Sequence, residues 1–317
     1  MSVSLIIITA LLLDLIFGEP RRWHPLVGFG NFASWIEKRL NSTFIQNHFL
    51  SYLIGLVAWV SVVMPLVSLT WFLEQLTLPE PFLNSPWLQM DVLVAVVCLT
   101  FAIGTKSLLQ HARVVAEAMN QSDIELARKR IGMIVSRDTR NSDEEAINRA
   151  TIESVLENGS DAIFAAIFWF VILGAPGVIL YRLANTLDAM WGYRTERFNS
   201  FGWAAARIDD VLNWAPARLT ALSYAITGNT LSALSCWKKQ AKGWHGINPG
   251  VVMATGAGAL NITLGGTASY HGKAVTRPEL GCHMPPQVDD IERANKLIIK
   301  SIIIWVMIIM LGDYFID

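Results

Sequence analysis

The sequence is short of charge. Only 16% of its 317 residues are Asp, Glu, Lys or Arg and 53% are hydrophobic, whereas a soluble globular chain carries about a quarter charged residues. Such a chain cannot cover itself with a hydrated surface, so part of it faces lipid. A basic excess is missing as well. The formal net charge of -1 argues against a nucleic-acid partner, because binding a polyanion needs a clear positive balance. Cysteine is scarce: Cys98, Cys236 and Cys282 lie far apart and are odd in number, so neither a disulfide framework nor a Cys-x-x-Cys zinc spacing is present. Cys282 beside His283, with His271 upstream, comes nearest to a metal cluster, although ordinary loop residues explain it better. Also absent are a Gly-x-x-x-x-Gly-Lys-Ser/Thr loop, a Gly-x-Gly-x-x-Gly after a strand, a Gly-x-Ser-x-Gly elbow and a His-Glu-x-x-His pair. A nucleotide, if one binds, binds outside the commonest nucleotide folds.

Tryptophan and long apolar runs are what the chain has in quantity. Its 12 tryptophans suit a membrane protein, since indole rings settle at the headgroup level. Residues 2–17 are apolar apart from Asp14, but no basic lead-in precedes them and no small-x-small site follows. They read as a short retained membrane segment, not a signal peptide. Residues 49–73 are long enough to span, since a crossing needs roughly 20 apolar residues, and residues 88–109 form a weaker candidate. Residues 74–90 between them contain no Lys or Arg. Arg21, Arg22, Lys38 and Arg39 come before, and Lys106, Arg113, Arg128, Lys129, Arg130, Arg137 and Arg140 come after. By the positive-inside rule the amino terminus and residues 74–90 lie outside, and the basic segments lie in the cytoplasm.

Residues 107–157 are rich in Ala, Glu, Arg and Lys and read as soluble-type amphipathic helix. Residues 163–181 are apolar but interrupted by Gly174, Ala175, Pro176 and Gly177. A simple crossing there would place Arg182, Arg194, Arg197, Arg207 and Arg218 outside, against the charge rule. A broken or re-entrant helix pair is the favoured reading, and a plain buried helical hairpin accounts for the same residues. Residues 219–237 are moderately apolar. Residues 248–266 are rich in Gly and Ala, which suggests tight turns or close helix contact, and residues 271–290 read as a loop. Residues 297–311 form a last apolar segment whose carboxyl end emerges outside. No domain boundary or internal repeat is visible. The chain therefore reads as an all-α, polytopic integral membrane protein, a single domain over residues 1–317, with a cytoplasmic-side amphipathic helical region.

Ionisable residues beside apolar segments are costly and mark functional candidates. Glu153, Glu157 and Asp161 recur every four residues, which on a helix places three carboxylates along one side. Hard oxygen donors of this kind suit Mg²⁺ together with substrate phosphates. A solvated acidic face with an Arg149–Glu153 pair explains the spacing equally well. A second group, Tyr181, Arg182, Asn185 and Asp188, follows the Gly-Ala-Pro-Gly break. A third holds Arg207, Asp209, Asp210, Asn213 and Arg218. Guanidinium groups give planar recognition of phosphate or carboxylate, while an intramembrane Arg–Asp pair holding helices together is the structural alternative. Asp138 or Thr139, next to Arg137, can cap a helix start, and His24 sits between Trp23 and Pro25. Taken alone, these residues point to a membrane site for an anionic ligand with a divalent ion.

The motifs in order resemble the CbiB/CobD family of cobalamin-biosynthesis membrane proteins. Asp14 with Gly18-Glu19-Pro20 and His24-Pro25 is similar to the family's opening, and Ser136-Arg137-Asp138-Thr139 to its next motif. The run from Glu153 to Asp161, Glu-Ser-Val-Leu-Glu-Asn-Gly-Ser-Asp, matches the family's acidic block. Pro176-Gly177 with Tyr181 follows, then Asn185-Thr186-Leu187-Asp188-Ala189-Met190 and Gly192-Tyr193. Phe201-Gly202, Ala205-Ala206-Arg207, Asp209-Asp210, Asn213 and Pro216-Ala217-Arg218-Leu219-Thr220 complete the series. The resemblance spans nearly the whole chain.

It implies an inner-membrane enzyme that joins the free propionate carboxyl of adenosylcobyric acid to aminopropanol, or its phosphate, with consumption of ATP and with the site facing the cytoplasm. On charge logic, Glu153, Glu157 and Asp161 hold Mg²⁺–ATP. Arg137, Asn158, Asn185, Arg207, Asn213 and Arg218 bind substrate or phosphate groups. Asp188, Asp209, Asp210 and His24 are the catalytic candidates. Membrane lipid, a second copy of the chain and other late cobalamin-pathway membrane enzymes are the expected partners. A non-catalytic sensor of the related β-lactamase-regulatory type is the alternative. The sequence also departs from the family pattern. Met253 stands where a glutamate is expected, and Ala162 and Ala166 replace a Gly and a Pro. Loss of that carboxylate means either altered substrate handling or a glutamate that was structural.

Overall fold

The computed structural model describes residues 1–19, 25–41, 47–76, 89–270, 272–282 and 284–316. In chain order the helices are α1 (Val3–Phe17), α2 (Pro25–Leu40), α3 (His48–Glu74), α4 (Met90–Ala102), α5 (Thr105–Asn120), α6 (Ile124–Ile131), α7 (Glu144–Gly159), α8 (Ala165–Trp191), α9 (Trp203–Leu212), α10 (Trp214–Thr227), α11 (Thr230–Gln240) and α12 (Ile247–Leu260). A hairpin of β1 (Thr263–Tyr270) and β2 (Lys273–Gly281) follows, and α13 (Val288–Ile316) ends the chain. Four helical stretches are long and apolar enough to cross a membrane: His48–Glu74, Met90–Asn120, Glu144–Trp191 and Val288–Phe315. Exposed apolar side chains along them include Phe49, Val57, Trp71, Ile303 and Leu311. The all-α membrane class holds, with the hairpin added.

The chain folds into two compact units, each made of separate segments. The first comprises residues 1–104 and 165–213. In it α1 packs on α4, both α3 and α4 pack on α8, and α9 packs on α8 and α3. The Asn47 side chain caps α3 by accepting from the amides of Phe49 and Leu50, which satisfies two of the first-turn donors. The expected break appears in α8. Gly174 leaves the helical region (φ 65°, ψ −153°) and Pro176 follows it, a positive φ that glycine adopts without a Cβ clash. The Ala175 amide freed by the break donates to Glu74 Oε1 at 3.1 Å, so no backbone donor is stranded in an apolar setting.

The second unit comprises residues 105–164 and 214–317. Its amphipathic helices α5, α6 and α7 close around Val115, Ala118, Ala127, Ile131, Ile147 and Ala150. Asp143 caps α7 by accepting from the Ala146 amide at 2.8 Å, and Glu144 and Glu145 in the first turn oppose the helix dipole. At its far end α7 widens into a π-helical turn, Ser160–Phe164. A Cβ at Gly159 would come within 2.5 Å of Ile298 Cδ1 on α13 and 3.1 Å of the Tyr224 hydroxyl, so α7 and α13 approach closely there. Residues 219–237 do not form one segment: α10 and α11 part at Gly228, and Asn229 caps α11 by accepting from Ser232 N at 3.1 Å.

Two further stretches differ in an instructive way. Residues 248–266 were expected to make close helix contacts, and α12 is buried over almost its whole length and packs on α10 and α11. Residues 271–290 were expected to be a loop, yet residues 273–281 are β2, paired antiparallel with β1 from Thr263↔Gly281 to Tyr270↔Lys273, with a bulge at Gly265/Gly266. Thr267 and Tyr270 on one strand, with Val275 and Thr276 on the other, carried the hairpin signal. The prolines and glycines masked it.

Candidate active site

In the second unit the polar centre is Glu153, which is 2% exposed. Arg137 Nη2 donates to its Oε2. Arg277 grips both oxygens, Nη1 to Oε2 at 3.0 Å and Nη2 to Oε1 at 3.1 Å. The Gly265 amide at the bulge adds a fourth bond, to Oε1 at 2.8 Å. The Arg277 guanidinium also lies 5.2 Å from the centre of the Trp244 ring. Arg277 sits on β2, in a segment read as loop, and so was missed. The expected Arg149–Glu153 pair does not form: Arg149 instead pairs with Glu145 one turn back and donates to Gly265 O at 3.3 Å.

Both oxygens of Glu153, expected as a metal ligand, are thus engaged by two guanidiniums and an amide. Among the described residues no group of three His, Cys, Asp or Glu side chains is placed to hold a metal ion. Glu157 and Asn158 on α7 are exposed, and Asn158 Nδ2 is turned back onto Ser154, to its carbonyl and hydroxyl oxygens at 2.9 Å each. Asp161 falls in the π-helical turn, so it does not continue the stripe in regular four-residue register. Burial, and then the charge of Asp161, holds the Tyr224 hydroxyl well above the usual phenol range; that hydroxyl donates to Leu156 O at 3.0 Å. Arg218 belongs to another part of this unit. It donates to Trp214 O at 2.7 Å and to Asn248 Oδ1 at 3.1 Å, and its guanidinium lies over the Trp214 ring. Met253, where the resemblance led to an expected glutamate, is a packed apolar side chain in α12, 1% exposed.

In the first unit, α8 and α9 bring Tyr181, Asn185, Asp188, Asp209, Asp210 and Asn213 together. Asp209 is bracketed by two carboxamides: Asn185 Nδ2 donates to Oδ1 at 3.3 Å and Asn213 Nδ2 to Oδ2 at 3.0 Å. The Tyr181 hydroxyl in turn donates to Asn213 Oδ1 at 3.0 Å. Tyr181 and Asn213 are both buried, so this chain of bonds fixes the Asp209 carboxyl from behind. Asn185 and Asn213 were assigned to substrate phosphate; the structure engages both with Asp209 instead. Burial pushes the Asp209 carboxyl above the usual carboxylate range. The bonds from Asn213 and Asn185 pull it part of the way back, and the charge of Asp210 raises it again. Asp188 lies within electrostatic reach of both Asp209 and Asp210. Arg207 and Asp210 pair at 3.3 Å near the surface and line a cavity of about 370 Å³ with Tyr52, Tyr193 and Trp203.

His24 lies outside the described residues, as do His271 and His283 of the weak metal reading. Cys282, the third member of that reading, has its sulfur 2.8 Å from Ser232 Oγ and 4.0 Å from Cys236 Sγ.

Helices long and apolar enough to cross a membrane, with a hydrogen-bonded carboxylate cluster in each unit, define a helical membrane protein. Its sequence matches the CobD/Cbib protein family over residues 7–298. It is 50% identical over 314 residues, 99% of each chain, to the cobalamin biosynthesis protein CobD of Stutzerimonas stutzeri. A protein of the same name from Chromobacterium violaceum is 49% identical over 307 residues, 96% of this chain and 95% of that one. Another, from Clostridium perfringens, is 35% identical over 300 residues, 92% of each. No solved structure matches. The chain belongs to the CobD/CbiB family.

Proposed function

We propose that this chain is the biosynthetic enzyme of cobalamin assembly that joins the free propionate carboxyl of adenosylcobyric acid to aminopropanol, or its phosphate, giving adenosylcobinamide or its phosphate at the expense of ATP. The observation that carries the reading is the family match over residues 7–298, with relatives named cobalamin biosynthesis proteins. The sensor alternative gains no support from these relatives.

A carboxylate is a poor acyl donor, so it must be activated, and ATP supplies that activation as a phosphoryl donor. The amine arrives as an ammonium ion and must lose a proton before it attacks. Asp188, Asp209 and Asp210 form a carboxylate group suited to attract that cation. Asp209, held by Asn185 and Asn213 with its carboxyl raised by burial, is suited to take the proton, since a base works best when its pKa is brought toward the working pH. Arg137, Arg207 and Arg218 serve anionic groups of the substrates. Magnesium typically takes one or two carboxylates plus substrate phosphates, a demand that Glu157 and Asp161 fit without Glu153. The basic segments support a site on the cytoplasmic side of the inner membrane, where ATP is present, with both termini outside. A second copy of the chain, or another late-pathway membrane enzyme, is the expected protein partner.

The test is direct. Purified protein in detergent is given adenosylcobyric acid, ATP, Mg²⁺ and either aminopropanol or its phosphate, and the mass of the corrinoid product is recorded. An ATP-dependent amide product is expected. Its absence with either amine would sink the reading.

A further inference from the structure

Within the second unit, the α6–α7 loop and the hairpin enclose a cavity of about 730 Å³ whose lining includes Arg137, Arg140, Ser142, Arg149, Thr267 and Ser269. Both walls are held in place. Behind the loop, Arg128 Nε donates to Ser142 O at 2.8 Å and Thr139 Oγ1 donates to Arg128 O at 3.0 Å. Across the cavity, the Asp138 amide donates to Ser269 O at 2.9 Å. The Asp138 carboxylate accepts from Gly272 N at 2.6 Å and from Ser269 Oγ at 3.3 Å, which latches the hairpin tip onto the loop.

The charges on this lining are unevenly matched. Its two carboxylates, Asp138 and Asp143, both accept from backbone amides, those of Gly272 and Ala146. Of its three guanidiniums, Arg149 has its own partner in Glu145, and the other two are less fully neutralised. Arg137 shares the single carboxylate of Glu153 with Arg277. Arg140 is exposed and joins none of the ion pairs found among the described residues. Guanidiniums with hydroxyls on a rigid frame are what recognition of a phosphate requires, and the volume falls in the range of small-molecule and cofactor sites.

We propose that this cavity binds the phosphate groups of a phosphorylated substrate, with Arg140 as the exposed contact and the Asp138-latched hairpin as its far wall. The inference rests on the reading that the reaction uses phosphorylated substrates. A nucleoside triphosphate and an aminoalkyl phosphate ester share the chemistry.

The experiment separates them. Full-length protein in detergent, without corrinoid, is titrated with radiolabelled ATP and, separately, with radiolabelled aminopropanol phosphate. Wild type is compared with Arg140→Glu and Asn141→Trp, two changes at exposed positions, and an azido-ATP photolabel on wild type is mapped by peptide mass. Affinity for one of the two compounds is expected to fall about tenfold or more in both variants, as for loss of a charge-assisted bond. If that compound is ATP, the label should sit within residues 137–146 or 267–274. Binding by wild type that both variants retain, or binding of neither compound, overturns the proposal. If a variant fails to fold, as read from its thermal unfolding, the wild-type photolabel decides for ATP, and a label elsewhere overturns the proposal. Amide product from wild type alongside unaffected binding in the variants would reject the cavity and keep the proposed function. No amide product and no binding would reject both.

Discussion

Each unit holds a carboxylate away from bulk water, Glu153 buried and Asp209 half-buried, but they satisfy it differently. Glu153 is held by two guanidiniums and a backbone amide, whereas Asp209 is held by two neutral carboxamides backed by a tyrosine hydroxyl. Charged partners compensate the desolvation of a buried ion but make it expensive to disturb, because removal of one partner strands the others. Neutral donors compensate it only partly, so burial still raises the Asp209 carboxyl. The first arrangement ties α7, the α6–α7 loop and the hairpin together and is a fixed joint. The second leaves a carboxyl that can exchange a proton, which is what a group acting on an amine needs.

That contrast can be broken by experiment, beginning with its largest expected consequence. Glu153→Ala strands two buried guanidiniums and should cost about 3–5 kcal/mol, read as loss of folded protein in thermal or chemical unfolding in detergent. Asp209→Asn should cost far less stability, about 1 kcal/mol, while lowering amide formation about 10²–10⁴-fold. Equal destabilisation by the two changes would erase the distinction drawn here. Asn213→Ala removes the acceptor of the Tyr181 hydroxyl's bond and one donor to Asp209 and should cost about 1–3 kcal/mol. Tyr181→Phe combined with it should add little, a coupling that a double-mutant cycle measures.

The pH dependence carries the same contrast with a definite sign. Because the folded-state value of Asp209 is raised, the folded chain holds that proton to higher pH than the unfolded chain does. The folded state therefore binds more protons between the usual carboxylate range and the raised value, and the Asp209 contribution to stability declines as pH rises through that window. Unfolding midpoints across the window should show this decline in wild type and less of it in Asp209→Asn. The smallest effect is expected at the half-exposed Arg207–Asp210 pair, where Arg207→Ala should change stability by about 0–1 kcal/mol. A larger loss would mean that the pair is more than a surface contact.

Much of this was legible in the residues. The apolar runs at residues 49–73 and 297–311 lie within helices long enough to span, because length and hydropathy decide a membrane crossing almost alone. Gly174 and Pro176 announced the break in α8. The Asn185, Asp188, Asp209, Asp210 and Asn213 group came together on neighbouring helices, with the two asparagines donating to Asp209. The acidic stripe was half legible. Its helical spacing was real as far as Glu157, but the π-helical turn at Ser160–Phe164 has no reliable local signature.

By itself, then, the sequence determined that the chain lies in a membrane and that the apolar stretch ending at Tyr181 breaks at Gly174, since composition and short-range pattern carry that information. The tertiary structure alone decided what surrounds those carboxylates. Arg277 meets Glu153 across 124 residues of chain, through a hairpin hidden by its own glycines and prolines, and that meeting turned an expected metal ligand into a buried joint. Pairing over such a distance depends on how the elements pack, and no local spacing encodes it.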